Sequence, residues 1–132
     1  MSSDEKQYVI NTFAWIEYFS GSVAGKRAKQ YIESDHAYTP TVVIAELVNK
    51  YLKHGVDLTD RLRFIRLRTT LIPLDDELAE TAGRIQSERK KTVERWGIVD
   101  SIILASARIK GGKVVTGDEH FRDLRLDAVM IK

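Results

Sequence analysis

Three carboxylates and one amide stand where side chains can meet and do chemistry. Asn11 follows the apolar run Tyr8-Val9-Ile10, and Asp118 follows Val114-Val115-Thr116-Gly117, so each lies just past the end of a strand-like segment. Asp100 falls in the first turn of the apolar stretch Ile98–Lys110, and Glu46 lies midway along a helical pattern. Each has an ordinary reading when taken alone. Asp100 could cap its helix, where the macrodipole favours negative charge. Glu46 could pair with Lys50, one turn on, and Asp118 could be a turn residue after Gly117. Yet an ionised carboxylate among Ile98, Val99, Ile102 and Ile103 is costly unless it is paired or hydrogen-bonded. Read as a set, the four positions could enclose a divalent cation, because hard cations prefer oxygen ligands.

The elements that must position them alternate between strand-like and helical. Tyr8–Ile10 reads as a strand, followed by helices over Phe13–Phe19 and Ala24–Glu33 with a break at Gly21-Ser22. Ala37–Thr39 is a short strand. Thr39-Pro40 then opens a helix, the threonine as cap and the proline in its first turn. Val43, Ile44, Leu47, Val48, Tyr51 and Leu52 recur at helical spacing until Gly55. Leu58, Leu62 and Ile65 carry a further helix to about Arg68. Leu71–Leu74 is a strand whose proline places it at an edge. Asp75-Asp76-Glu77 begins a helix faced by Leu78, Ala82 and Ile85 and closed by Arg89-Lys90-Lys91. The stretch Ile98–Lys110 is apolar nearly all round, as a buried helix is. Lys113–Thr116 and Ala128–Ile131 complete the strands. Strands separated by helices predict a three-layer α/β/α sandwich with a short, mainly parallel central sheet. Ligands in such sheets gather beyond the strands' carboxyl ends, which is where Asn11 and Asp118 stand.

The 132 residues suit one domain, 1–132, able to bury a core without staples. A net charge of +2 is too small to argue for nucleic acid by itself. Cysteine is absent, which excludes disulfides, thiolate zinc sites and thiol nucleophiles. The polar start Met1–Gln7 lacks the apolar core of a signal peptide, and Ile98–Ile109 is too short to span a bilayer. The expected setting is the cytoplasm, with no membrane partner.

Four segments, in order, resemble the PIN-domain ribonucleases, and most closely the toxins of VapBC-type toxin–antitoxin pairs. They are "VINTFAWIEYF", "TPTVVIAELVNKY", "GIVDSIILASARIKGGKVVTGDEHF" and the closing "AVMIK". The resemblance implies an endoribonuclease with Glu46, Asp100 and Asp118 as metal-binding acids and Thr12 and Thr116 as supporting hydroxyls. Asn11 stands where the family has an aspartate, as in a disabled or a naturally weakened member. It further implies Mg²⁺ or Mn²⁺ as cofactor, RNA as substrate, a cognate antitoxin as partner and a homodimer. The chemistry agrees, since phosphodiester hydrolysis needs charge neutralised and a water activated, and a bound divalent ion does both.

Two other readings stand beside this one. A non-catalytic PIN-fold module that binds RNA or protein would account for Asn11. A phosphoacceptor signalling domain would need a lysine at another strand end, and none is evident. Among the remaining residues, His36, His54 and His120 are scattered, with His120 closest to an acid. Glu119 is expected in the first turn of a short helix. Arg61, Arg63, Arg66 and Arg68, with Arg89, Lys90, Lys91 and Arg95, read either as solvated faces or as a rim of phosphate contacts. Trp15, Tyr18 and Phe19 are expected in the core.

Overall fold

Every strand expected from the sequence forms, and all pair in parallel. In the computed structural model, which describes residues 6–132, the strands are β1 (Tyr8–Ile10), β2 (Ala37–Pro40), β3 (Thr70–Ile72), β4 (Lys113–Thr116) and β5 (Ala128–Met130). Most of the polar start, residues 1–5, lies outside the described residues. The helices are α1 (Thr12–Ser20), α2 (Val23–Ile32), α3 (Thr41–Lys53), α4 (Thr59–Arg68), α5 (Asp76–Arg89) and α6 (Ile98–Ile109), with a 3₁₀ turn at Glu119–Phe121. Among the described residues no helix is long and apolar enough to cross a membrane.

The sheet order is β3-β2-β1-β4-β5. The chain steps outward from β1 to β3, then returns to lay β4 on the other side of β1, with Ile10 opposite Val115. Right-handed crossovers therefore send α1–α4 to one face and α5 and α6 to the other. The result is the three-layered sandwich. The strand order reverses between β1 and β4, which makes the space beyond their carboxyl ends the switch point of the fold.

Local chemistry explains most boundaries. Gly21, at a φ of 72°, closes α1 in the left-handed conformation that glycine adopts without penalty. The Asp75 carboxylate accepts from the Leu78 amide at 2.9 Å and starts α5. In α6 the run Ser101–Ala107 is buried throughout, and the hydroxyls it carries find internal acceptors: Ser101 donates to Gln86 Oε1 at 2.7 Å and Ser106 to the Ile102 carbonyl at 2.8 Å. β3 lies at the sheet edge and stops at Ile72, because Pro73 has no amide to donate.

Most boundaries shift by a residue or two, as β3 does from the expected Leu71–Leu74 to Thr70–Ile72, and one differs in role. Thr39 does not cap α3; it belongs to β2, opposite Leu71, and the cap position falls to Pro40, which has no side-chain oxygen. The Thr39 hydroxyl is buried, pairing with the Thr69 hydroxyl at 2.7 Å and accepting from Trp15 Nε1 at 3.2 Å. Satisfying the indole of the largest core side chain outweighs a cap.

Candidate functional site

The switch point holds a cleft of about 280 Å³ lined by Asn11, Thr12, Glu46, Lys50, Asp100 and Asp118, among others. All four positions singled out in the sequence thus meet. Asn11 arrives on the turn from β1 to α1, Glu46 from the middle of α3, Asp100 from the first turn of α6, and Asp118 from the loop after β4. Gly117 lets β4 end there. A Cβ on Gly117 would sit 2.2 Å from Phe13 Cε1, so the Phe13 ring fills the space that a side chain at 117 would take.

Asn11 is buried, and both its polar atoms are engaged within the chain. Its Oδ1 caps α1, accepting from the Ala14 amide at 3.0 Å. Its Nδ2 donates to Thr116 Oγ1 at 2.6 Å, and the same hydroxyl oxygen accepts from the Asp118 amide at 3.0 Å. Thr116 therefore ties the two strand ends together.

Glu46 accepts a hydrogen bond from the Thr12 hydroxyl; it makes no ion pair with Lys50, which lines the cleft beside it. Asp100 Oδ2 reaches back to accept from the Gly97 amide at 3.0 Å, so the capping role is real. The same oxygen lies 3.4 Å from His120 Nδ1, and Asp118 Oδ1 lies 3.6 Å from that nitrogen. Capping and cleft roles coexist on one carboxylate.

This donor set fits a divalent cation. Ligand atoms of Asp100, Asp118 and His120 all lie within 4.8 Å of one another, and Glu46 opens onto the same cleft. Among the described residues neither aspartate pairs with a lysine or arginine. Part-buried carboxylates with no lysine or arginine to balance them are an arrangement that a bound ion stabilises.

Two residues matter more here than their sequence context suggests. His120, scattered in the chain, brings its ring between both aspartates; its nearness to Asp118 was the only signal. Arg89, read from the sequence as part of a charged face or a phosphate rim, is an internal clamp instead, with its side chain 12% exposed. Its guanidinium stacks 4.3 Å over the Trp96 ring. It donates to both Asp123 oxygens, at 2.6 and 3.0 Å, and to the His120 carbonyl at 2.9 Å. Lys90 is likewise engaged, donating to the carbonyls of Glu94 and Trp96, and Arg68 donates to the Ser34 carbonyl at 2.9 Å. Glu119 lies in the 3₁₀ turn as expected, paired with Arg122. Trp15 is fully buried, with Tyr18 and Phe19 packed partly exposed against it.

Residues 8–126 match the family described as "PIN domain". No curated protein matches the chain significantly in sequence. Among solved structures, a toxin–antitoxin complex from Klebsiella pneumoniae superposes with a TM-score of 0.77 at 20% identity, over 96% of this chain and 98% of that one. VapC20 of Mycobacterium tuberculosis, named as a sarcin–ricin loop cleaving toxin, gives 0.73 at 17% identity over 89% and 95%. VapBC-5 of the same organism gives 0.65 at 23% identity over 97% and 99%. At such identities the likeness shows the fold.

Proposed function

This chain belongs to the PIN-domain family, and on that premise we propose that it is a metal-dependent endoribonuclease, the toxin component of a toxin–antitoxin pair, that cuts RNA phosphodiester bonds. The observation that carries the proposal is the convergence of Glu46, Asp100 and Asp118 on one cleft, from three separate elements and with no lysine or arginine paired to either aspartate. The naming of a structural neighbour as an RNA-loop cleaving toxin supports the substrate class.

A divalent ion, Mg²⁺ or Mn²⁺, supplies charge neutralisation at the phosphoryl group and an activated water. The chain's own residues hold and aim that chemistry. Glu46, Asp100 and Asp118 are the ligands. The Thr12 hydroxyl fixes the Glu46 carboxylate, and Thr116 fixes Asp118 through its amide. Lys50, exposed on the cleft wall, is placed to meet a phosphate oxygen. No side-chain nucleophile is required.

Asn11 weakens this centre. An amide brings no charge, and its nitrogen is a hydrogen-bond donor, bonded to Thr116, that cannot act as a ligand. A unit-charge pair about 4 Å apart is worth roughly 4 kcal/mol at an effective dielectric near 20; even about 1.4 kcal/mol of that is tenfold in affinity. The chain is therefore nearly inactive as it stands, and Asn11→Asp restores cleavage. A single-turnover digest of structured RNA by both forms across an Mg²⁺ and Mn²⁺ titration tests this. An aspartate form as inert as the parent on every RNA would favour the non-catalytic module, whose support is the engagement of both polar atoms of Asn11. A parent that already cuts well would refute the role given to position 11.

The proposal extends to a cytoplasmic setting, one domain spanning 1–132, a cognate antitoxin and a homodimer. Exposed apolar side chains such as Leu52 and Leu67, the latter 82% exposed, motivate the protein partners. Light scattering that reports only monomer across micromolar concentrations would remove the dimer.

A further inference from the structure

The proposed cation centre leaves open which ion it takes, and His120 bears on that. We propose that His120 is a direct ligand of the divalent ion, through Nδ1, and that it biases the centre toward Mn²⁺ and away from Mg²⁺. The inference rests on the metal-centre reading above and adds a ligand and an ion preference to it.

Three observations carry it. The first is spacing. Donor atoms about 2.1–2.2 Å from one ion sit roughly 3.0–3.5 Å apart; His120 Nδ1 lies 3.4 Å from Asp100 Oδ2 and 3.6 Å from Asp118 Oδ1. The ring nitrogen thus stands from each carboxylate oxygen at about the separation of neighbours in one coordination shell.

The second is that the ring is delivered there by a built support. The His120 amide donates to Asp118 Oδ1 at 2.9 Å, and its carbonyl accepts from Arg89 at 2.9 Å. The next residue, Phe121, is fully buried and packs 4.9 Å from Trp96. Both peptide groups of His120 are held, so its ring is kept beside Asp100 and Asp118 without a large loss of backbone freedom on binding. Support of this kind orients metal ligands.

The third is a shortage of oxygen donors. Asn11 stands at a ligand position, yet its amide brings no negative charge and its Nδ2 is a hydrogen-bond donor, bonded to Thr116. The imidazole supplies a further donor beside both aspartates.

The ion preference follows from ligand chemistry. Mg²⁺ demands oxygen ligands in near-ideal octahedral geometry and dehydrates reluctantly. Among first-row divalent ions imidazole suits Zn²⁺, Cu²⁺, Fe²⁺ and Ni²⁺ best and Mn²⁺ favours oxygen donors, but Mn²⁺, a transition-metal ion, takes an imidazole nitrogen more readily than Mg²⁺ does. A mixed set of carboxylates and one imidazole favours Mn²⁺ between the two ions that the proposed hydrolysis could use.

The test measures binding of each ion alone to the purified chain, with no RNA present. Calorimetric titrations compare the parent with His120→Phe, which keeps a ring and removes its nitrogens, after circular dichroism has verified folding. The dissociation constant for Mn²⁺ should rise about tenfold or more, the scale on which even supporting residues of a metal site act, while that for Mg²⁺ changes by less than about threefold. Pulsed electron paramagnetic resonance on the Mn²⁺-loaded parent, which needs no variant, should show coupling to a directly bound nitrogen. Mn²⁺ bound without nitrogen coupling, or equal weakening of both ions in the variant, would overturn the role of His120 and leave the metal centre standing. A parent that binds neither ion would overturn both.

Discussion

At position 11, asparagine and aspartate differ by more than charge. The amide donates to Thr116 Oγ1 and caps α1 at the same time. An aspartate keeps the cap but cannot donate, so the Thr116 hydroxyl has to reverse and donate instead, and a fourth negative group joins Glu46, Asp100 and Asp118. Asn11→Asp should therefore be less stable in chelator by about 1 kcal/mol, the net worth of one hydrogen bond. Added Mn²⁺ should close or reverse that gap, since an ion that binds only the folded state stabilises it by mass action. Thermal melts with and without the ion measure both. Asp100 allows a sharper separation of roles. Asparagine at 100 retains a carbonyl oxygen for the Gly97 amide, so Asp100→Asn should cost well under the roughly 0.5–2 kcal/mol of a lost cap while metal affinity falls. If stability falls and metal affinity holds, Asp100 is a cap alone. At Gly117 the obstacle is steric. Gly117→Ala places a methyl against Phe13 and should lower both stability and metal affinity by displacing the turn that carries Asp118.

The next scale up is the clamp that joins the end of α5 to the segment after β4. Arg89 unites Asp123, the His120 carbonyl and the Trp96 ring, although its Nε is buried without a hydrogen-bond partner. Arg89→Met keeps an apolar stem over Trp96 and removes the fork. A loss of about 2 kcal/mol in urea unfolding is expected, the range of a hydrogen bond to a charged group. The hydrogen bonds from Arg89 hold the Asp123 carboxyl below its ordinary value against the opposing effect of its burial, and the Arg89 charge acts in the same direction as the bonds. A carboxyl depressed on folding adds stability that is complete above its unfolded value, near 3.9, and is lost as pH falls through the lower folded value. The stability difference between the parent and Asp123→Asn should thus be constant at neutral pH and shrink only below about pH 4. Sequence patterns made the elements legible, because strand runs ending in glycine or a polar residue and a helix apolar nearly all round have few alternative uses. The acids were legible for the same reason: Asn11 and Asp118 stand at strand ends, where a parallel sheet exposes them. Arg89 was not. Its neighbours Lys90 and Lys91 make it look like part of a charge run, and only the fold brings Asp123 and Trp96 to it. The capping error at Thr39 has the same origin, since the indole it serves lies 24 residues away.

Across the whole molecule, protection should follow burial. The Ser101–Ala107 amides of α6 sit in the fully buried segment against the central strands and should exchange hydrogen only through global unfolding, whereas the edge strand β3 should open at lower free energy. Native-state exchange in low denaturant measures the ranking; β3 amides as slow as those of α6 would contradict it. The order of the sheet also bears on how the protein is made. Asn11 and Glu46 come from the first half of the chain, Asp100 and Asp118 from the second, and β1 gains β4 as a neighbour only after the sheet has been built outward to β3. A polypeptide emerging from the ribosome amino end first therefore displays Asn11 and Glu46 long before Asp100 and Asp118 exist. Under the proposed function, the emerging chain cannot assemble its cation site until the segments that carry Asp100 and Asp118 have been added.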